Sequence, residues 1–421
     1  MTAPAPAAPP ALPAPDPRER DFVRNVTCLT LVESGWGFGM AFGFSAAFMQ
    51  VVLKRLGATE TEVGLLAAQW GIGTIPMVLS GYLTGHLRRK KTVVLWGHFL
   101  CVLPVGALAV ALASGASDRA KIWYILAAEY MFSFAVGLLL PVWFTFMGKV
   151  MPARKLGRGL GITFAFQTLC GLIASLAASF FLERRPDAVP LCVGATAGLM
   201  LLGNLFFFPV REPETDADAR PAGFLTWIRD LFAEFRRHPS VRRFLVAELL
   251  FTFQAVIVGF YGSRAVDFGG NVAVGARLAA FMTGCQAVSS FVGGWLVDRV
   301  GPKPVLIGGR LAVVAAAAFA ATADSVSALY PAAASIGIFF GVRSTAGFAM
   351  FREVLGREEV TSLWGMFTLL VSPVAAAAPL VAGYLMTRKV ISAPVAFTVA
   401  GSLVLLSALV LLLGVRGRRA A

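Results

Sequence analysis

Charge is scarce in this chain. Asp, Glu, Lys and Arg make up 14% of its 421 residues, where a soluble domain approaches a quarter. So few charges cannot cover a water-facing surface. Histidine occurs 3 times and cysteine 5 times. His86, His98 and His238 lack metal-ligand spacing, and Cys28, Cys101, Cys170, Cys192 and Cys285 lie in apolar runs with no C-x-x-C pair. A zinc site and a disulfide framework are disfavoured, and small membrane-buried thiols are the ordinary reading. No G-x-x-x-x-G-K-[ST] loop is present and no polar region is large enough for a nucleotide domain, which disfavours an ATP-driven pump. A membrane enzyme would need a convergent His, Asp or Cys constellation, and the scattered histidines supply none. Neither a cofactor nor a metal is expected.

What the chain has in abundance is apolar length. Its hydrophobic fraction is 57% and its mean hydropathy +0.74, the balance of an integral membrane protein. Twelve runs are long enough to cross a bilayer as helices: 26–52, 62–85, 92–114, 122–148, 157–182 and 189–210, then 244–266, 275–297, 304–323, 327–351, 360–386 and 393–415. They are called spans 1 to 12 below. The expected fold is an all-α membrane protein of two six-helix bundles related by pseudo-symmetry.

The duplication rests on one stretch. GYLTGHLRRKK at 81–91 follows span 2, and GWLVDRVGPKP at 294–304 follows span 8. Laid together, Gly81 falls on Gly294, Leu83 on Leu296, His86 on Arg299 and Lys90 on Lys303, about half a chain apart.

The net charge of +14 would suggest nucleic acid in a soluble protein. Here the cations gather in alternate loops, about 25 Lys and Arg on one side against about 10 on the other. That bias places both termini in the cytoplasm and is read as topology and lipid-headgroup contact, in a bacterial inner membrane.

Residues 1–20 are an Ala/Pro-rich tail expected to be disordered, with no basic start or apolar core of a signal peptide. Residues 21–210 form the first bundle, 211–243 a cytoplasmic linker, 244–415 the second bundle and 416–421 a basic tail. Within the linker, Phe224, Trp227, Ile228, Leu231, Phe232 and Phe235 recur at helical spacing, with Arg229, Asp230, Glu234, Arg236 and Arg237 on the other face. An amphipathic helix anchored on the bilayer surface is the main reading, and a regulatory docking segment the other.

Ionisable groups inside hydrocarbon are costly, so each needs a partner, a water-filled cavity or a task. Glu33 lies in span 1, Glu129 in span 4, Glu248 in span 7 and Arg343 in span 10. Arg310 in span 9 stands within two turns of the cytoplasmic end, close enough to snorkel. Arg264 and Asp267 read as an interfacial pair.

These features together resemble the major facilitator superfamily of secondary transporters: twelve runs, two halves, a long central loop, and a Gly-x-Leu-x-Asp-Arg-x-Gly loop after spans 2 and 8. The second copy matches well, through Gly294, Leu296, Asp298, Arg299 and Gly301; in the first, Gly85 and His86 stand where Asp and Arg would be. If this loop is a cytoplasmic gate whose acid faces a helix N-terminus, the first gate is weakened or rebuilt. Gly81, Arg89, Lys90, Gly294, Asp298 and Arg299 are the gating candidates. Span 5 lacks the Gly-Pro motif of the family's drug–proton antiporters, so drug efflux loses ground.

The resemblance also implies that spans 1, 4, 7 and 10 line a central cavity. A carboxylate there can take a proton from one side and release it to the other as exposure alternates. Glu33 and Glu129 are the proton-coupling candidates, with a permanent salt bridge or a helix cap as the alternative for either. Gln167, Gln254, Arg343 and Trp143 are the substrate-binding candidates, each with a packing alternative; Arg343 is either a counter-ion for an anionic substrate or a structural partner of Glu248. The expected function is a monomeric secondary active transporter moving a small solute by alternating access, driven by protons and surrounded by lipid. The alternatives are a passive facilitator, or a transport-dead receptor or assembly factor.

Overall fold

The computed structural model describes residues 17–42, 46–214, 223–237, 239–355 and 361–415. In the first half, α1 (Pro17–Phe42) and α2 (Ala46–Arg55) make the first crossing, and α3 (Glu60–Gly73) and α4 (Met77–Thr84) the second. α5 (Lys91–Ala113), α6 (Asp118–Val150), α7 (Leu156–Arg184) and α8 (Val189–Leu205) follow, and then α9 (Phe224–Arg236) in the linker. In the second half, α10 (Pro239–Phe251), α11 (Gln254–Phe260) and α12 (Arg264–Asp267) share one crossing. α13 (Val272–Val300), α14 (Pro302–Thr322), α15 (Tyr330–Leu355), α16 (Thr361–Thr387) and α17 (Ala393–Gly414) complete it.

Among the described residues, 11 crossings are long and apolar enough to span a bilayer. The twelfth is α1 with α2, whose hydropathy is diluted by Glu33 and by Gly35, Gly37 and Gly39. The protein is therefore an all-α membrane protein of twelve transmembrane helices in two six-helix halves.

Local chemistry sets the helix ends. Thr59 and Glu62 close a reciprocal capping box at α3, Ser117 accepts the Ala120 amide at α6, and Asn271 accepts the Val274 amide at α13. Before α14 the chain turns at Gly301, whose φ of +83° favours glycine, and Pro302 follows at the first helical position.

Packing repeats from half to half. α1 lies on α8 as α10 lies on α17, α5 on α8 as α14 on α17, and α5 on α6 as α14 on α15. Between halves, α3 packs on α16 and α13 on α7, the same relationship with the halves exchanged. Small residues permit these approaches: a Cβ on Gly71 of α3 would come within 2.6 Å of the Ala376 amide nitrogen of α16. At the end of the molecule away from both termini, each of these cross-half pairs ends in a polar latch. Thr61 bonds Thr387 through its amide and its hydroxyl, both at 2.8 Å, and Glu183 pairs with Arg277.

Several expectations change. Pro17 to Arg20, assigned to the disordered tail, already belong to α1, because Glu19 ties the start of the helix to Arg154 (2.6 Å) and Lys155 (2.5 Å). Residues 1–16 and the basic tail 416–421 lie outside the described residues. Span 6 stops at Leu205 rather than 210, and the Lys91 ammonium takes the carbonyls of Phe208 (2.7 Å) and Val210 (2.8 Å) beyond it. The linker helix forms, but not only as a surface float: Phe224 packs edge-on and Trp227 tilted against Tyr82 of α4, with ring centroids at 5.2 and 5.9 Å, while Leu225 stays 81% exposed.

Candidate functional site

The seventh crossing is broken twice, after Phe251 and after Phe260, and the second once, after Gly73. Irregular backbone at membrane depth persists only where protein or a wet cavity satisfies it. Both conditions hold here. Gln50 of α2 donates to the Val258 carbonyl (2.8 Å) and accepts the Gly262 amide (2.9 Å), repairing the second break from the other half of the molecule. Thr74, Thr252 and Gln254 at the remaining breaks line a cavity of about 390 Å³. That is the size of a metabolite site, with a largely apolar wall and few convergent polar groups.

The cavity wall comes from both halves: Gln69, Trp70 and Glu129 from one, Glu248, Phe251 and Arg343 from the other, among others. Glu129 is fully buried, and neither of its carboxylate oxygens has a hydrogen-bond partner among the described residues. Gln69 is its polar neighbour, and the Oε1 of Gln69 is equally without a partner. On the opposite wall Gln254 Oε1 is unpartnered as well. Buried acceptors of this kind are rare unless a ligand, water or proton completes them.

Glu248 is shared. One of its oxygens pairs with Arg310 of α14 and the other with Arg343 of α15 at 3.1 Å. Arg310 also donates to the Ser407 hydroxyl and carbonyl (3.0 Å) and to the Ala247 carbonyl (3.3 Å), while Phe251 lies under both guanidiniums at 4.9 and 5.4 Å. These contacts offset the desolvation of the charges. Arg310, expected to snorkel, is instead 1% exposed, because Glu248 and the Ser407 and Ala247 carbonyls hold its head group inside. Arg343 pairs with Glu248 and lines the cavity, so its two alternatives describe one geometry.

Three sequence candidates lie away from the cavity wall. Glu33 is buried where α1 meets α7 and accepts a hydrogen bond from Gln167, so those two residues satisfy each other. Gly37 brings the helices together there, since a Cβ on it would strike the Gln167 backbone. Trp143 packs against His98 (5.3 Å) and Phe207 (6.0 Å), about 21 Å along α6 from Glu129 at 1.5 Å per residue. Arg264 and Asp267 do pair, at 2.8 Å.

Of the gating candidates, Lys90 is buried, its ammonium on the Thr84 (2.7 Å) and Gly85 (3.2 Å) carbonyls at the end of α4. Its backbone nitrogen and that of Lys91 donate to the Glu212 carboxylate at 2.8 Å, and Arg89 pairs with Glu214. A linker acid therefore sits at the start of α5, near the place left by the missing motif acid; the polar sequence around it gave no hint of this. A Cβ on Gly81 would lie 3.8 Å from the Trp227 ring. In the second loop Gly294 is half-buried, Asp298 is exposed, and Arg299 stacks on Trp295 at 3.9 Å.

A chain can share this architecture with transporters of many solutes, and comparison bears that out. A crystallised POT family transporter in complex with 5-aminolevulinic acid superposes with a TM-score of 0.70 at 12% identity, over 92% of this chain and 95% of the other. A D-xylose–proton symporter gives 0.67 at 13% identity, over 94% and 98%. In sequence, the niacin transporter NiaP of Acinetobacter baylyi is 24% identical over 340 residues, 72% of this chain and 74% of that protein. The profile of the Major Facilitator Superfamily matches residues 34–285 and 251–421, nearly the whole of both halves. With two repeated six-helix halves around a shared cavity and that match along its length, the chain belongs to the major facilitator superfamily and is a membrane transporter rather than an enzyme.

Proposed function

We propose that the protein is a secondary active transporter which alternates access to the cavity between its halves and uses protons as its coupling ion. Glu129 carries this reading. It is a buried carboxylate on the cavity wall with no fixed partner, so gaining or losing a proton breaks no salt bridge. When the cavity opens to one side Glu129 meets water, and when it closes the charged form is penalised, so loading and release follow exposure. Glu33, satisfied by Gln167 between α1 and α7, is proposed as a secondary coupling group at most.

The remaining parts fit the same cycle. Gln254 and Arg343 are proposed to contact the solute. The Thr61–Thr387 and Glu183–Arg277 contacts are proposed as the outer latch, and the two loops after α4 and α13 as the inner one. The cation bias supports both termini in the cytoplasm of a plasma membrane. A niacin transporter among its relatives and a proton symporter of the same fold agree with a small solute and a proton couple.

Purified protein in proteoliposomes tests this. An imposed pH gradient should accumulate solute from a broad metabolite panel and dissipate as it does so. A gradient that moves no solute, with protein that still binds ligands, would leave a receptor or assembly role instead.

A further inference from the structure

The fixed charges around the cavity do not balance. The described ionisable groups on or directly behind its wall are Glu129, Glu248, Arg343 and Arg310. Glu248 neutralises one of its two arginines, which leaves one positive charge over in that cluster. Arg310 cannot present it, because its head group is enclosed by Glu248, Ser407 and Ala247. Arg343 can: it gives Nη1 to Glu248, and its side chain remains 36% exposed. Glu129 makes no ion pair with either arginine. With a proton on Glu129 the cavity therefore carries an uncompensated cation in a low-dielectric setting.

Across the same space stand acceptors without donors, Oε1 of Gln254 and, with the proton on Glu129, the carbonyl oxygen of that carboxyl. The wall between them is aromatic, from Trp70, Phe251 and Phe367. A cationic solute would meet Arg343 at a cost, and a neutral one would leave its charge unanswered.

The geometry points to a small organic anion as the solute. Its carboxylate sits on the free edge of Arg343, its apolar or aromatic body lies against Trp70 and Phe251, and an N–H or O–H donor reaches toward Gln254 and Glu129. This deepens the transport reading above and rests on it: anion and proton enter the cavity together, so the pair crosses without net charge.

The test is equilibrium binding by titration calorimetry on the purified full chain in detergent. The probes share one shape and differ in charge: 4-hydroxybenzoate, 4-hydroxybenzamide and 4-hydroxybenzylamine. The acid should bind saturably and the amide and amine should not. Arg343→Gln should weaken the acid by about tenfold or more, the loss of a charge-assisted contact, and Arg343→Lys by less. Because Arg310 still neutralises Glu248, both variants should fold, and an unchanged melting profile checks it. Binding of the amide or amine as tight as that of the acid, absence of acid binding at millimolar concentration, or an Arg343→Gln affinity within about twofold of the parent would overturn the proposal. Acid binding without flux would instead contradict the transport reading and leave this one standing. Flux of neutral or cationic solutes without acid binding would do the reverse.

Discussion

Lys91 and Lys303 do the same work in the two halves. Lys91 Nζ takes the carbonyls of Phe208 and Val210 beyond α8, and Lys303 Nζ takes those of Leu412 (2.8 Å) and Val415 (2.7 Å) at the end of α17. Each ties the start of one helix to the unsatisfied carbonyls of its neighbour. The repeat is thus one residue out of step with the alignment that paired Lys303 with Lys90, because the first loop carries an extra residue. From this register the halves can be compared further on. Seven residues past Lys91 stands His98, and seven past Lys303 stands Arg310, both buried. His98 meets Trp36 of the first crossing at 4.9 Å and Arg310 meets Phe251 of the seventh at 4.9 Å. One half closes its core with aromatic rings and the other with charge.

The shared carboxylate sets a ranking of stability. Glu248→Gln strands the buried Arg310 and takes the acid from half-buried Arg343, and should cost about 3–5 kcal/mol, whereas Arg343→Gln leaves a balanced Glu248–Arg310 pair and should cost far less. Thermal unfolding of the detergent-solubilised protein measures both. Equal losses would mean that the two arginines are not competing for one acid.

In the gate loops, Glu212→Gln removes the charge held at the start of α5 and should lower flux by about twofold to tenfold, the worth of about 0.5–1.5 kcal/mol. Asp298→Asn should lower it too, and Gly85→Ala should not, because Gly85 is helical and meets only its own turn. A Gly85→Ala effect exceeding both would show that the linker acid does not stand in for the motif's.

The outer latch gives a conformational readout. Glu183→Gln removes the Arg277 pair between halves, so cysteine pairs placed across the outer mouth should crosslink less and react faster with a water-soluble thiol reagent. Unchanged reactivity would count against a latch.

Glu19 lies outside the spans, where Arg154 first and then Lys155 draw its carboxyl from the ordinary 4.5 down to about 2. A folded-state value below the ordinary one adds stability above about 4.5 that fades as pH falls toward about 2. Glu19→Gln should therefore melt slightly below the parent at pH 7, and the gap should shrink below about pH 4.5 and close toward about pH 2. The contact faces solvent, so a small gap is expected. A gap independent of pH would place the effect elsewhere than in this charge.

How much of this was legible in the chain follows from which interactions are local. Twelve crossings and a twofold repeat announce themselves, because run length and the spacing of Lys and Arg are properties of the sequence itself. The breaks in the seventh crossing carry no proline, and the second persists because Gln50, about 200 residues earlier, satisfies its backbone. Arg310 read as snorkelling because its depth is local, while its acid lies 62 residues away. Glu33 and Glu129 looked alike for the same reason: depth can be counted along a helix, but which of them a glutamine in α7 would satisfy cannot.

The decisive measurement is solute accumulation in proteoliposomes carrying the parent or Glu129→Gln, with lumenal pH recorded at the same time. The solute is whichever metabolite most raises the melting temperature of the purified protein. If Glu129 carries the proton, the parent should concentrate solute against its gradient under acid-outside conditions, and Glu129→Gln should exchange solute across the membrane but no longer concentrate it or move protons. A Glu129→Gln protein that concentrates solute as the parent does, with the same proton flux, would contradict coupling at this residue.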